Sequence, residues 1–109
     1  MKSNPRVLLI EDDRNIATGL QKAMRVNGYD VVLQTRGDDG LNQALSEPFD
    51  IVITDLRLPG TDGLELVRQL HHARPKLPII LITAHGSTET AIEATKWGAF
   101  DYLPKPFEV

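Results

Sequence analysis

Four short runs of branched aliphatic residues, Val7 to Ile10, Val31 to Leu33, Ile51 to Ile53 and Ile79 to Ile82, do most to limit what this chain can become. A strand with one wet face alternates apolar and polar residues. These runs lack that alternation, as strands covered on both faces do in parallel sheets layered with helices. A fifth, weaker run extends from Phe100 to Leu103. Helical stretches lie between the runs. The first carries Ile16, Leu20, Ala23 and Met24 on one face, and Asn27-Gly28 supplies its stop. The second carries Leu41, Ala44 and Leu45 and ends at Pro48; the third turns Leu66, Val67 and Leu70 inward and ends before Pro75, because the residue ahead of a proline resists the helical conformation. A fourth opens near Ser87 and closes at Trp97-Gly98, with a thin apolar face of Ala91 and Ala94. Strands alternating with helices predict one α/β domain: a doubly wound five-stranded parallel sheet with right-handed crossovers, order 2-1-3-4-5.

A chain of 109 residues buries one core and is too short for two. After the fifth run, Lys105-Pro106-Phe107-Glu108-Val109 ends the sequence with no helix following. The expectation is a domain over residues 1–109 that is cut before its final helix, or a sheet face covered by another molecule, a homodimer being one such arrangement. A formal net charge of -3 gives no broad positive field for nucleic acid or an anionic membrane. There are no cysteines, hence no disulfides, thiolate metal sites or thiol nucleophiles. The first residues run straight into an apolar strand without a long apolar segment, so a cytoplasmic domain is expected, neither exported nor membrane-spanning.

In a doubly wound sheet, ligands collect beyond the carboxyl ends of the strands. The residues there are Glu11-Asp12-Asp13 after the first strand, Asp55 after the third, Thr83 after the fourth and Lys105 after the fifth. The predicted order makes the first and third strands neighbours and brings Asp12 and Asp13 beside Asp55. Carboxylates packed at separations of ~4 Å in partly buried surroundings repel by several kcal/mol, so the cluster calls for a counterion. Oxygen donors without thiolate or paired imidazole suit a hard divalent ion, Mg²⁺ in particular. With such an ion beside it, Asp55 is placed to act as nucleophile on a phosphoryl group. Asp12 and Asp13 would hold the metal with the backbone carbonyl of Arg57, while Thr83 and Lys105 would grip phosphate oxygens.

With these residues in place the sequence closely resembles the response-regulator receiver domains of two-component signalling. The resemblance runs from about Val7 to Phe107 through Leu8-Leu9-Ile10-Glu11-Asp12-Asp13, Asp50 to Gly60, Thr61-Asp62-Gly63, Ile82-Thr83-Ala84 and Lys105-Pro106-Phe107. It implies a CheY/flavodoxin-like topology. It also implies that Asp55 is phosphorylated from the phosphohistidine of a sensor histidine kinase, that Asp12 and Asp13 serve Mg²⁺, and that Lys105 and Thr83 sense the phosphate. Thr83 and Tyr102 occupy the family's switch positions, where a hydroxyl drawn to the phosphate vacates space that an aromatic ring fills. The stretch from Thr83 to Phe107 resembles the NtrC-type subgroup, whose members carry an output domain in the parent chain that acts as a transcriptional activator. Arg57 and His85 stand where the family tunes the access of water to the phosphate.

Other residues read more plainly. His71-His72 point in different directions on a helix and near its end are favoured by the dipole rather than by a metal. Glu11 reads as a supporting neighbour of the metal pair. Pro59-Gly60-Thr61-Asp62-Gly63 lacks the spacing and lysine of a phosphate-cradling loop and reads as a turn into the third helix. The competing functions are a stand-alone receiver adaptor and an aspartate-nucleophile phosphatase. The phosphatase would want an acid two residues beyond its nucleophile, where this chain has Arg57, and a longer chain.

Overall fold

A computed structural model describes residues 4–56, 58–83, 93, 95–96, 98 and 101–104; for residue 83 and residues 101–104 only the backbone is described. The elements follow as β1 (Arg6–Ile10), α1 (Arg14–Val26), β2 (Asp30–Gln34), α2 (Gly37–Ser46), β3 (Ile51–Asp55), α3 (Gly63–Ala73), β4 (Ile79–Thr83) and β5 (Asp101–Pro104). All pairings are parallel and the strands lie in the order β2-β1-β3-β4-β5. The five apolar runs are thus the five strands. The fourth helix expected from Ser87 to Gly98 lies largely outside the described residues.

Each strand sends alternate residues to opposite faces, and both faces are apolar. Leu8, Ile10, Val52, Ile79 and Leu81 meet Leu41 and Ala44 of α2 and Leu66, Val67 and Leu70 of α3. Val7, Leu9, Val31 and Ile82 form the other layer, against which Leu20 and Met24 of α1 pack. The helix ends follow local chemistry. Asp13 caps α1, its carboxylate accepting from the amides of Asn15 and Ile16, and Asn27 with Gly28 (φ 90°) closes the helix. Asp62 caps α3 by accepting from the amide of Gly63 at 2.8 Å, and α3 stops at Ala73 ahead of Pro75.

Two helix faces differ in detail from the sequence expectation. In α1 the fully buried residue is Ala17, with Ile16 half-buried, because the face that meets the sheet follows a spacing of three and four through Ala17, Leu20 and Met24. In α2, Leu45 is 39% exposed, while Leu41 and Ala44 carry the contact. Among the described residues no helix is long and apolar enough to cross a membrane.

Candidate functional site

The register of β1 on β3 sets Ile10 opposite Thr54, so the residues that follow, Glu11 and Asp55, leave the sheet side by side. Glu11 is fully buried, and its backbone continues the pairing by donating to the carbonyl of Gln34 at 3.0 Å. Its carboxylate therefore has a fixed origin. Asp55 is 8% exposed and ends β3. Asp12 follows Glu11 and is exposed. Carboxylate oxygens of Glu11, Asp12 and Asp55 all lie within 4.8 Å of one another.

Asp55 is held closely. Its Oδ1 accepts from the amide of Leu56 at 2.6 Å, and that amide also reaches the carbonyl of Ile82 at 3.1 Å. The carboxylate plane is thereby tied to both β3 and β4. Beneath it, the buried hydroxyl of Thr54 donates to the carbonyl of Asp55 at 3.1 Å. The loop that leaves the site closes on itself where the amide of Gly63 donates to the carbonyl of Leu56 at 2.9 Å. Glu11 takes part in local order too: its Oε2 accepts from the amide of Asp13 at 3.1 Å.

Three negative charges in so small a space repel strongly, and burial of Glu11 and Asp55 removes much of the screening water. A cation relieves this. Two oxygens on opposite sides of a magnesium ion stand about 4.2 Å apart, so a group confined within 4.8 Å suits such an ion with little adjustment. The donors are all hard oxygens, and an exposed Asp12 leaves one side open to water, as magnesium prefers.

The structure thus brings Asp12 and Asp55 together, as the sequence anticipates, and adds Glu11 to them. Asp13 is placed at the helix cap, with its carboxylate engaged by two amides. β1 ends with its apolar run at Ile10, and Glu11 enters the crevice because its amide still bonds to the carbonyl of Gln34. Thr83 ends β4 beside the site, its backbone paired with Pro104. Tyr102 sits in β5 opposite Leu81, again by its backbone. Arg57, His85 and Lys105 lie outside the described residues. His71 and His72 fall in the last turn of α3, away from the acids.

A parallel sheet of this order, with acids converging at the carboxyl ends of β1 and β3, defines a class of phosphoacceptor signalling domain. The chain matches the response regulator receiver domain over residues 7–109, and it belongs to that family. It is 38% identical over 103 residues to the DNA-binding transcriptional regulator NtrC of Salmonella typhimurium, covering 94% of this chain and 22% of the relative. It is likewise 38% identical over 105 residues to the transcriptional regulatory protein ZraR of Escherichia coli, covering 96% of this chain and 24% of the relative. The chain spans about a quarter of the length of these curated relatives.

Among solved structures, a receiver domain protein of Methanospirillum hungatei superposes with a TM-score of 0.93 at 29% identity, over 97% of this chain and 85% of that one. A response regulator of Burkholderia pseudomallei, solved with a phosphorylated aspartic acid, a calcium ion and citrate, gives 0.89 at 33% identity over 97% and 62%. Receiver domains of response regulators are regulatory phosphoacceptors that bind Mg²⁺ at an acidic pocket, and Glu11, Asp12 and Asp55 form such a cluster here.

Proposed function

We propose that Asp55 is the phosphoacceptor of this receiver domain and that Asp12, Asp55 and Glu11 hold one Mg²⁺, with Asp13 reaching it through water and the backbone carbonyl of Arg57 as a further ligand. The observation that carries the proposal is the convergence of three carboxylates within 4.8 Å around an aspartate pinned by its neighbouring amide. In the reaction a carboxylate oxygen of Asp55 attacks the phosphorus of a phosphohistidine on a sensor kinase. The phosphorus–nitrogen bond breaks, its electron pair returns to the imidazole, and an acyl phosphate remains on Asp55. When bound, the ion neutralises charge on the phosphoryl oxygens.

Burial of the acceptor excludes competing water and limits the approach of donors. Lys105 and the hydroxyl of Thr83 bind the transferred oxygens, and Tyr102 follows Thr83 in a two-state change that a partner reads. Arg57 and His85 set the rate at which water later cleaves the acyl phosphate. The reading partner is an output domain in the same parent chain, a transcriptional activator of the NtrC kind working in the cytoplasm, which the likeness to NtrC and ZraR supports.

Incubation with acetyl phosphate and Mg²⁺, followed by intact mass measurement, tests the assignment. One phosphoryl group is expected on the wild-type chain, lost on treatment with hydroxylamine and absent in Asp55→Asn. Retention of the label in Asp55→Asn would sink it.

A further inference from the structure

The loop from Leu56 to Asp62 is fixed at its base by the bond between Gly63 and Leu56, but its apex is held from outside, by the amino end of α2. The amide of Gly37 donates to the carbonyl of Pro59 at 2.9 Å. A methyl group on Gly37 would lie 2.7 Å from the carbonyl carbon of Thr61, with the carbonyl oxygen closer still. Backbone is pressed on backbone here, so no flexible side chain could yield. One residue away, Gly60 adopts φ 82°, open to glycine and strained for others. A methyl group on Gly60 would sit 2.6 Å from Cγ of Asp38 and 3.1 Å from a guanidinium nitrogen of Arg36. Those two side chains pair with each other at the amino end of α2 and lie against Gly60, with the Arg36 Nε donating to Asp38 Oδ1 at 3.1 Å.

We propose that this clasp between α2 and the loop apex positions the phosphoacceptor, with Gly37 as its main positioning residue and the Arg36–Asp38 pair as a lesser one. The proposal rests on the reading of Asp55 as phosphoacceptor. The link runs through Leu56: its amide holds Asp55 Oδ1 at 2.6 Å, its carbonyl accepts from Gly63, and it begins the loop that Gly37 presses on. Raising the apex pulls on Leu56 and turns the Asp55 carboxylate. None of the clasp residues belongs to the acidic cluster, so their effect on phosphoryl transfer is transmitted by backbone position.

Helix propensity alone gives Gly37→Ala no reason to slow transfer, so a slower rate points to the crowded contact. Alanine for glycine within a helix ordinarily stabilises the helix. Gly19 in α1, with nothing within 4 Å of a methyl group built on it, is the matching control. The experiment measures the initial rate of phosphoryl transfer from acetyl phosphate at saturating Mg²⁺, per folded molecule by circular dichroism, together with the Leu56 amide position in a ¹⁵N–¹H correlation spectrum without donor.

Because ångström-scale misplacement of a reacting group costs one to two orders of magnitude in rate, Gly37→Ala is expected to slow transfer about tenfold and to move the Leu56 amide. Asp38→Ala, on an exposed side chain, is expected to move that amide in the same direction and slow transfer by a smaller factor. Gly19→Ala should change neither. A folded Gly37→Ala with wild-type rate and wild-type Leu56 amide overturns the clasp. If Gly37→Ala does not fold, an unchanged rate and amide in Asp38→Ala overturns it instead. If the wild-type chain accepts no phosphoryl group, the phosphoacceptor reading has failed, and the Leu56 amide in the same variants still decides the clasp.

Discussion

At the amino ends of the strands Glu47 and Asp50 meet donors from Arg6, whereas at the carboxyl ends Glu11, Asp12 and Asp55 crowd one another. The Arg6 amide donates to Asp50 at 2.7 Å, and its guanidinium reaches Glu47 at 3.1 Å and the carbonyl of Pro48 at 2.9 Å. The same guanidinium lies 4.7 Å from the centre of the Phe49 ring. Gln43 adds a donor to the other oxygen of Glu47 at 3.0 Å. Acids at this end fasten the connection from α2 into β3. Those at the other end gather their oxygens within 4.8 Å, where their mutual repulsion favours a bound cation. Acids at one end of the sheet bind the chain to itself, and those at the other form a cluster that could hold a metal ion.

The largest effects should come from the carboxyl end and leave the amino end untouched. Removing one ligand charge by Glu11→Gln or Asp12→Asn should weaken Mg²⁺ binding about ten- to a hundredfold, a range typical of lost ligand support. Calorimetric titration with Mg²⁺ alone measures it, and Arg6→Ala should bind as the wild type does. Equal losses in Arg6→Ala would erase the distinction between the ends. Next in size is the linkage to stability. At a hundred times the dissociation constant, Mg²⁺ should raise wild-type stability by about 2.7 kcal/mol, since it binds the folded acids and not the dispersed ones. Urea unfolding with and without the ion reads this, and the gain should shrink in Asp12→Asn.

How far the sequence reveals these two ends differs. The strands were legible because Val and Ile runs without alternation permit little else, and α1 to α3 because Asn27-Gly28, Pro48 and Pro75 mark their stops. Asp12 and Asp55 were legible as partners once the strand order was inferred. The placement of Glu11 was not, because it depends on a register that tertiary packing sets, with Ile10 opposite Thr54. Asp13 shows a different difficulty. An aspartate just ahead of a helix reads equally as metal ligand and as N-cap, and its bonds to Asn15 and Ile16 appear only in three dimensions. The Arg6 network and the pressure of Gly37 on Thr61 join residues far apart in sequence, and no local pattern announces either.

At the amino end the expected changes are in stability alone. Arg6→Ala removes a partly exposed ion pair, a hydrogen bond to Pro48 and a cation–π contact, together worth about 1–2 kcal/mol. Urea unfolding without metal should show this loss, with phosphoryl transfer per folded molecule unchanged.

The smallest effect is the pH dependence, and its sign follows from Glu47. The hydrogen bond from Gln43, then that from Arg6, holds the Glu47 carboxyl below its ordinary value of 4.5. On α3, Glu65 is drawn down further, to about 2, by Arg68 and then Gln69. A carboxylate whose folded value is depressed favours the folded state at pH above its unfolded value. Between the two values the unfolded chain binds more protons, so the contribution is lost as pH falls from about 4.5 toward the folded value. Stability measured from about pH 6 down to pH 3 should therefore decline less in Glu47→Gln than in the wild type. Gln43→Ala should flatten it more than Arg6→Ala, since the Gln43 bond is the larger cause. An acid limb that is identical in all four proteins would mean that the acids of the amino end do not fasten the fold, and the contrast between the two ends would then rest on the ligand site alone.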